Sequence, residues 1–371
     1  ARINWENMPL HKKKLLVFIP SIEDGGVEKN LFIILNYLKI KIKDIHLLTF
    51  DNSKKSYFNN KIKIINPIFN FQFLKGRYPK YILCLLLLIK ILIFDRNYLV
   101  LSFQANIYVL IISKLFNLKV ISRSNSSSAG WSQNPVKQFI FSYFFKKADK
   151  IIVNSKDFKK EMDKKYSIDT HCILNPFIFN KIKKESKVKT GKIFSKNTLK
   201  LISVGRLTLQ KDFITLFKAI NIIKKRKVEL IVIGKGSEKE KLENFIKNNN
   251  LTNRIKLIGY KKNPFKYINQ AEIFILTSIF EGSPNVLIEA QYLKKYVIST
   301  NCPTGPREIL SNGKYGSLVK IGDFKSIAKI LQNYNYSSSI KKKINSSFLS
   351  TKEYDHKTNC KEYFNLIQKY I

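Results

Sequence analysis

Short apolar runs alternate with segments of helical period along the chain, and they fall into two series. In the first half the runs at residues 15–20, 46–50, 98–103, 119–122 and 150–153 are near-continuously apolar. Such runs are the pattern of parallel strands buried on both faces. Between them lie segments such as 27–38, in which Leu31, Ile34, Leu35 and Leu38 share one helical face. A second series begins after residue 198, with runs at 199–204, 228–233, 255–258, 273–277 and 296–299. Strands alternating with helices predict α/β layers on parallel sheets. Two doubly wound, Rossmann-like domains of similar size are expected, facing across a cleft at the carboxyl ends of their strands. The Lys-rich stretch 181–197, KIKKESKVKTGKIFSKN, has few apolar anchors and reads as an exposed linker between them. The expected division is 1–183, 184–352, and a C-terminal helix over 353–371.

Composition adds size and charge. With 371 residues, 44% apolar and 13% aromatic, the chain can fill two sizeable cores, which excludes wholesale disorder. The formal charge of +41 suggests a polyanion partner at first sight. However, 59 of the 67 basic residues are Lys and only 8 are Arg, whereas base readout and bidentate phosphate clamps favour Arg. The excess of Lys, Ile, Asn and Phe is what a coding sequence drifting towards A and T supplies, so a nucleic-acid partner is not expected. Cys84, Cys172, Cys302 and Cys360 are widely spaced, which excludes a disulfide scaffold and a zinc knuckle and points to a reducing compartment. The first residues hold no apolar signal region.

The longest apolar run, YILCLLLLIKILIF at 81–94, is fourteen residues long and interrupted by Lys90. A bilayer span takes about 20, so this is a buried or membrane-surface helix. Phe69, Phe71, Phe73, Lys75, Arg77, Tyr78 and Lys80 precede it, and VKQFIFSYFFKK at 136–147 repeats the aromatic and basic flavour. Helices of this kind either lie at an anionic lipid surface or cover a sheet.

Four segments carry candidate chemistry. In IFILTSIFEGSPNVLIEAQYL, 273–293, a strand, a loop and a helix follow one another, with Ser283 as N-cap and Pro284 as first helical residue. The amides of Asn285 and Val286 then offer an anion site at the positive end of the helix dipole. Glu281 stands just before the helix. Glu289 lies on its apolar face beside Val286, Ala290 and Leu293, where a buried carboxylate needs a donor, either a sugar hydroxyl or a lysine. In LISVGRLTLQKDFI, 201–214, Gly205, Arg206 and Lys211 follow a strand, and two cations there can hold a diphosphate. In PSIEDGGVEKNL, Gly25 and Gly26 permit close backbone approach between the first strand and helix, or make a plain tight turn. In STNCPTGPREIL, Gly305 caps, Pro306 starts a helix and Glu308 takes the capping-box position. DxD, HExxH and His/Cys/Asp clusters are absent, so no metal and no cofactor is expected.

These segments resemble the family 4 retaining glycosyltransferases of the two-Rossmann-domain GT-B fold. FEGSPNVLIEA, with its two glutamates, is the specific stretch, and the likeness runs through PSIEDGGVEKNLF, ISVGRLTLQKDF and STNCPTGPREIL. Within the family it is most similar to bacterial enzymes that elongate lipid-linked oligosaccharides, lipopolysaccharide or capsule. The resemblance implies that Arg206 and Lys211 neutralise the donor diphosphate and that Glu289 holds the nucleotide ribose. It places Glu281 near the donor sugar, with Gly205, Ser283, Pro284, Asn285, Val286, Gly25 and Gly26 around the donor. It also implies a C-terminal helix that returns to the N-terminal domain. Arg123, Ser124 and Asn125, with Thr304 and Gly305, fall where relatives face sugar or acceptor, although the histidine or acid common there is replaced by Arg-Ser-Asn. The implied reaction is retaining, metal-independent transfer of a hexose or N-acetylhexosamine from a UDP-sugar. Its implied acceptor is a glycan on the inner face of the cytoplasmic membrane, with the enzyme peripheral on that anionic surface. The alternatives are a nucleotide-sugar epimerase of the same fold and a polyanion- or nucleic-acid-binding protein.

Overall fold

The structure, a computed structural model, describes residues 13–22, 25–51, 55–58, 62–67, 76–125 and 134–371. Two parallel sheets organise them. The first consists of β1 (Lys14–Phe18), β2 (Ile45–Leu48), β3 (Lys63–Ile65), β4 (Tyr98–Ser102), β5 (Lys119–Arg123), β6 (Lys150–Val153) and β7 (His171–Cys172). The second consists of β8 (Leu199–Val204), β9 (Val228–Ile233), β10 (Ile255–Leu257), β11 (Ile273–Leu276), β12 (Tyr296–Thr300) and β13 (Ser317–Val319). Their orders are β3-β2-β1-β4-β5-β6-β7 and β10-β9-β8-β11-β12-β13. Each is doubly wound, with the chain reversing its direction of travel between β1 and β4, and again between β8 and β11.

The helices follow from the same alternation. In the first domain they are α1 (Gly26–Lys41), α2 (Arg77–Phe94), α3 (Asn106–Leu115), α4 (Pro135–Phe145) and α5 (Lys156–Tyr166). Then come α6 (Phe179–Ser186), α7 (Phe213–Ile222), α8 (Lys239–Asn248), α9 (Phe265–Ile268), α10 (Asn285–Tyr292), α11 (Pro306–Ile309), α12 (Phe324–Asn333), α13 (Ser338–Ser350) and α14 (His356–Gln368). The stretch 181–197 is no bare linker. Its first part completes α6, whose Ile182 is buried in the second domain's core, while Ile193 and Phe194 pack against the same core. The lysines of α6 occupy its solvent side and conceal that single apolar anchor in the composition.

The chain crosses between domains twice, and the crossings lie side by side. Phe177 N–H donates to Tyr354 O at 2.8 Å and His356 N–H to Phe177 O at 3.1 Å. Beyond the second crossing, α14 packs against α1. Cys360, Tyr363, Leu366 and Ile367 enter the same buried cluster as Leu15, Leu31 and Leu99, so the last helix belongs to the first domain's core.

On the opposite face of the first sheet lie α2, α3 and α4, with α3 touching both neighbours. Leu88 and Leu92 of α2 are buried there, whereas Tyr78, Ile82, Leu86 and Phe94 face out, as do Leu115 of α3 and Phe139 of α4. Among the described residues no helix is long and apolar enough to cross a membrane. Phe69, Phe71, Phe73 and Lys75 lie outside the described residues.

Candidate functional site

The reversal between β8 and β11 sets the loops 205–212 and 277–284 next to each other. Cross-loop hydrogen bonds fix them: Thr277 Oγ1 to Lys211 O at 3.0 Å, Gln210 Nε2 to Phe280 O at 2.8 Å and Ile279 N to Gln210 O at 2.8 Å. The stem of Lys211 runs past Gly205, where an added Cβ would sit 3.5 Å from Lys211 Cδ. Its ammonium forms a close ion pair with Glu281 Oε1, which also accepts from Ser278 Oγ at 2.6 Å. The two charged side chains are only 13% and 9% exposed. Arg206 lines the same cleft, exposed, and among the described residues its guanidinium has no hydrogen-bond or ion-pair partner. One cation is thus neutralised within the protein, and one is available to an anion.

Helix α10 opens into the cleft opposite α1. Pro284, with ψ of 107°, stands outside the helix as its N-cap, so the first helical residue is Asn285, one later than the sequence suggested. Ser283 makes no cap, and its hydroxyl is buried without a hydrogen-bond partner among the described residues. The first-turn amides of an α-helix have no intrahelical acceptor. Here two such turns approach, since Asn285 Nδ2 donates to Gly26 O at 3.3 Å and to Asn30 Oδ1 at 3.2 Å. A Cβ on Gly26 would lie 3.2 Å from Asn285 Nδ2, a tight contact, so the bare backbone suits the close approach of the domains here. Glu289, 2% exposed, pairs with Lys29 from the other domain at 3.3 Å, while its Oε2 is buried and has no hydrogen-bond partner among the described residues. The lysine alternative of the sequence reading is therefore realised across the cleft, with one acceptor atom left over.

The space enclosed between the domains is about 1150 Å³, with Arg206, Lys211, Glu281, Asn285 and Glu289 on one wall and Gly25, Gly26 and Lys29 on the other. Comparison with known proteins decides the family. Residues 184–344 match the family described as glycosyl transferases group 1. An N-acetylgalactosamine-N,N'-diacetylbacillosaminyl-diphospho-undecaprenol 4-alpha-N-acetylgalactosaminyltransferase of Campylobacter jejuni is 30% identical over 338 residues, covering 85% of this chain and 88% of that protein. The chain belongs to the group 1 glycosyltransferases, family 4 of the GT-B fold. A glycosyltransferase of Methanocaldococcus jannaschii is 32% identical over 305 residues, 73% of each chain. Among solved structures, Anabaena HepE in complex with UDP superposes with a TM-score of 0.78 at 17% identity, covering 96% of this chain and 100% of HepE. That likeness carries the fold.

Within this glycosyltransferase, several residues expected at the site stand elsewhere. Arg123 does not face sugar or acceptor. It is fully buried, donating to Tyr363 Oη at 2.6 Å, to Asn175 Oδ1 at 2.8 Å and to Asn125 Oδ1, over the ring of Phe103. Ser124 is buried as well, its N–H tied to Ile152 O at 2.8 Å, and only Asn125 of the three lines the cleft. Thr304 and Gly305 lie behind the 281–284 loop rather than in the cleft. Thr304 Oγ1 donates to Glu281 O at 2.7 Å, and a Cβ on Gly305, whose φ is 76°, would meet Gly282 O at 2.3 Å. Glu308 does not close a capping box; its Oε2 accepts from Asp157 N–H at 2.9 Å, in the first turn of α5 across the domain boundary.

Other cleft residues were missed. After β9 the chain reads Gly234-Lys235-Gly236, and a Cβ at Gly234 or Gly236 would fall 1.9 or 2.2 Å from the carbonyl of Gly205 or Leu207. The glycines permit this loop to lie on the Arg206 loop, with Lys235 placed 5.1 Å over the Tyr260 ring. A Gly-x-Gly directly after an apolar strand was the available signal. Asn154 and Asn175 on the first domain's side carried none. Among the described residues no three His, Cys, Asp or Glu side chains gather to hold a metal ion. Burial pushes the thiols of Cys84, Cys172, Cys302 and Cys360 up to about 12, so none is a thiolate nucleophile at neutral pH.

Proposed function

We propose that this glycosyltransferase moves a hexose or N-acetylhexosamine from a UDP-sugar to a membrane-held glycan, with retention and without a metal. One observation carries the donor reading: Arg206, without a hydrogen-bond or ion-pair partner among the described residues, lines the same cleft as the start of α10, and that cleft is spacious enough for a nucleotide sugar. Arg206 faces the diphosphate, with Lys211 shared between it and Glu281. Glu289, with its unfilled acceptor, takes the ribose. As the bond from anomeric carbon to diphosphate oxygen breaks, negative charge grows on the leaving group, and preorganised donors there lower the barrier. The departing diphosphate oxygen takes the acceptor hydroxyl's proton on the same face, so no separate base is required. HepE has been solved with UDP and with UDP-glucose, and the Campylobacter relative is named for a diphospho-undecaprenol-linked acceptor; both support the reading.

A thermal-shift screen tests the donor. At 100-fold excess over its Kd a ligand adds about 2.7 kcal/mol to the native state. UDP is expected to raise the melting temperature by several degrees and uridine to do much less. A flat response to every nucleoside diphosphate would sink the donor assignment.

The acceptor side rests on the outward face of α2, α3 and α4. Exposed Lys90, Lys137, Lys146 and Lys147 stand among the apolar side chains there. A joint apolar and cationic face of this kind binds anionic bilayers by shallow insertion plus headgroup attraction. The protein should float with vesicles containing about a third anionic lipid and release as salt rises. Failure to float even at low salt would leave these helices as plain sheet cover.

A further inference from the structure

One asparagine in the first interdomain crossing joins the end of β5 to the start of α10. Asn175 is 2% exposed and lines the cleft. Its Oδ1 accepts from Arg123 Nη2 at 2.8 Å, and its Nδ2 donates to Asn285 Oδ1 at 2.7 Å and Ser283 O at 3.1 Å. The amide orientation is unambiguous, because a guanidinium can only donate and a main-chain carbonyl can only accept. Asn285 continues in the same sense, donating from Nδ2 to Asn30 Oδ1 and Gly26 O. Two carboxamides therefore run head to tail from Arg123 to the facing first turns of α10 and α1, each with its positive end turned away from the guanidinium.

Arg123 is the unusual member. It is 0% exposed, and among the described residues its partners are all neutral: the Tyr363 hydroxyl, two asparagine oxygens and the Phe103 ring. A buried charge without a counter-ion is costly unless dipoles or an opposite charge offset it. Tyr363 and the asparagines supply the dipoles, and among the described residues no acidic side chain pairs with the guanidinium. The amides end on acceptors of α1, Gly26 O and Asn30 Oδ1, so the positive potential acts at the start of α10, the place assigned to the donor's phosphates, as a field and not through a hydrogen bond.

We propose that Asn175 is a positioning residue for the donor diphosphate: it pins the first turn of α10 and relays to it the charge of Arg123, whose counter-ion is the bound diphosphate. This rests on the donor reading above. It also gives the crossing a function in the cycle. Asn175 lies two residues before Phe177, whose backbone pairs the two crossings, so the interdomain crossing is tied directly to the start of α10.

The test is Asn175→Asp, which keeps an acceptor for Arg123 and the same shape, but gives the guanidinium a carboxylate counter-ion within the protein and turns the donating end into a second oxygen. Binding of UDP and of uridine is measured by titration calorimetry and ligand-observed NMR on the full chain. The wild type is expected to bind both. In N175D, UDP affinity should fall about tenfold or more, the scale of one added negative charge about 10 Å from the diphosphate at an effective dielectric constant of about 20. Uridine affinity should change less than about threefold on the same argument, because uridine carries no phosphate. Unchanged UDP affinity, or equal loss for both ligands, would overturn the relay. If N175D does not fold, Asn175→Ala in the same titrations decides by the same criterion. A wild-type chain that binds no nucleoside diphosphate overturns the donor reading itself, and the relay falls with it; normal wild-type binding with an insensitive variant removes only the relay.

Discussion

Arg206→Ala lowers kcat by about 10²-fold or more with a verified donor, the scale seen when one preorganised donor to a developing charge is removed. The substitution is a clean probe because Arg206 is exposed and among the described residues has no hydrogen-bond or ion-pair partner, so nothing in the fold depends on it. Exposed positions of this kind cost within about 0.5 kcal/mol when changed, and the melting temperature should barely move. KM should change less than kcat, since the charge that Arg206 meets is largest once the bond to the sugar is breaking. Lys211 makes a poorer probe: its loss leaves the buried Glu281 carboxylate without its cation, so catalysis and stability would fall together. Steady-state kinetics of Arg206→Ala near wild-type turnover would remove it from the leaving-group site.

Ending the chain after Asp355, and so deleting α14, is expected to leave the first domain without a fixed core. Cys360, Tyr363 and Ile367 are fully buried and Leu366 nearly so. Large side chains contribute about 1.5–3 kcal/mol each on burial, and Tyr363, Leu366 and Ile367 together reach into the range of a typical domain's whole stability, about 5–15 kcal/mol. The deletion also removes the Tyr363 hydroxyl from the buried Arg123 guanidinium. Near-ultraviolet circular dichroism and limited proteolysis should show a loosened first domain attached to a folded second one. A truncated chain that melts cooperatively at the full-length temperature would refute this account of the first domain's core.

The main lines of both sheets were legible because buried parallel strands read as apolar runs. Strands β3, β7 and β13 were not: they are two or three residues long and, unlike the equally short β10, they did not stand out as apolar runs between helical segments. The segment from Thr277 to Glu289 was readable in outline, since an apolar strand, a polar turn and a helical face follow one another in the chain. The helix start was off by one residue because it depends on the ψ of Pro284, which sequence does not state. Arg123 was placed wrongly for a deeper reason. Its position at the end of β5 suggested the cleft, whereas its side chain answers to Tyr363, 240 residues away. Local pattern holds no information about a partner at that separation. The same applies to Asn175, which has no distinguishing neighbours in sequence and acquires its position only when the two domains meet.

The placement of α14 also bears on the order in which the molecule is made. The second domain draws its core from residues 177–354, one continuous stretch, whereas the first needs side chains as far apart as Leu15 and Ile367. Domains generally close in the order in which they leave the ribosome. Here the domain synthesised second can close first, and the one synthesised first waits with its α1 surface uncovered until the last helix emerges.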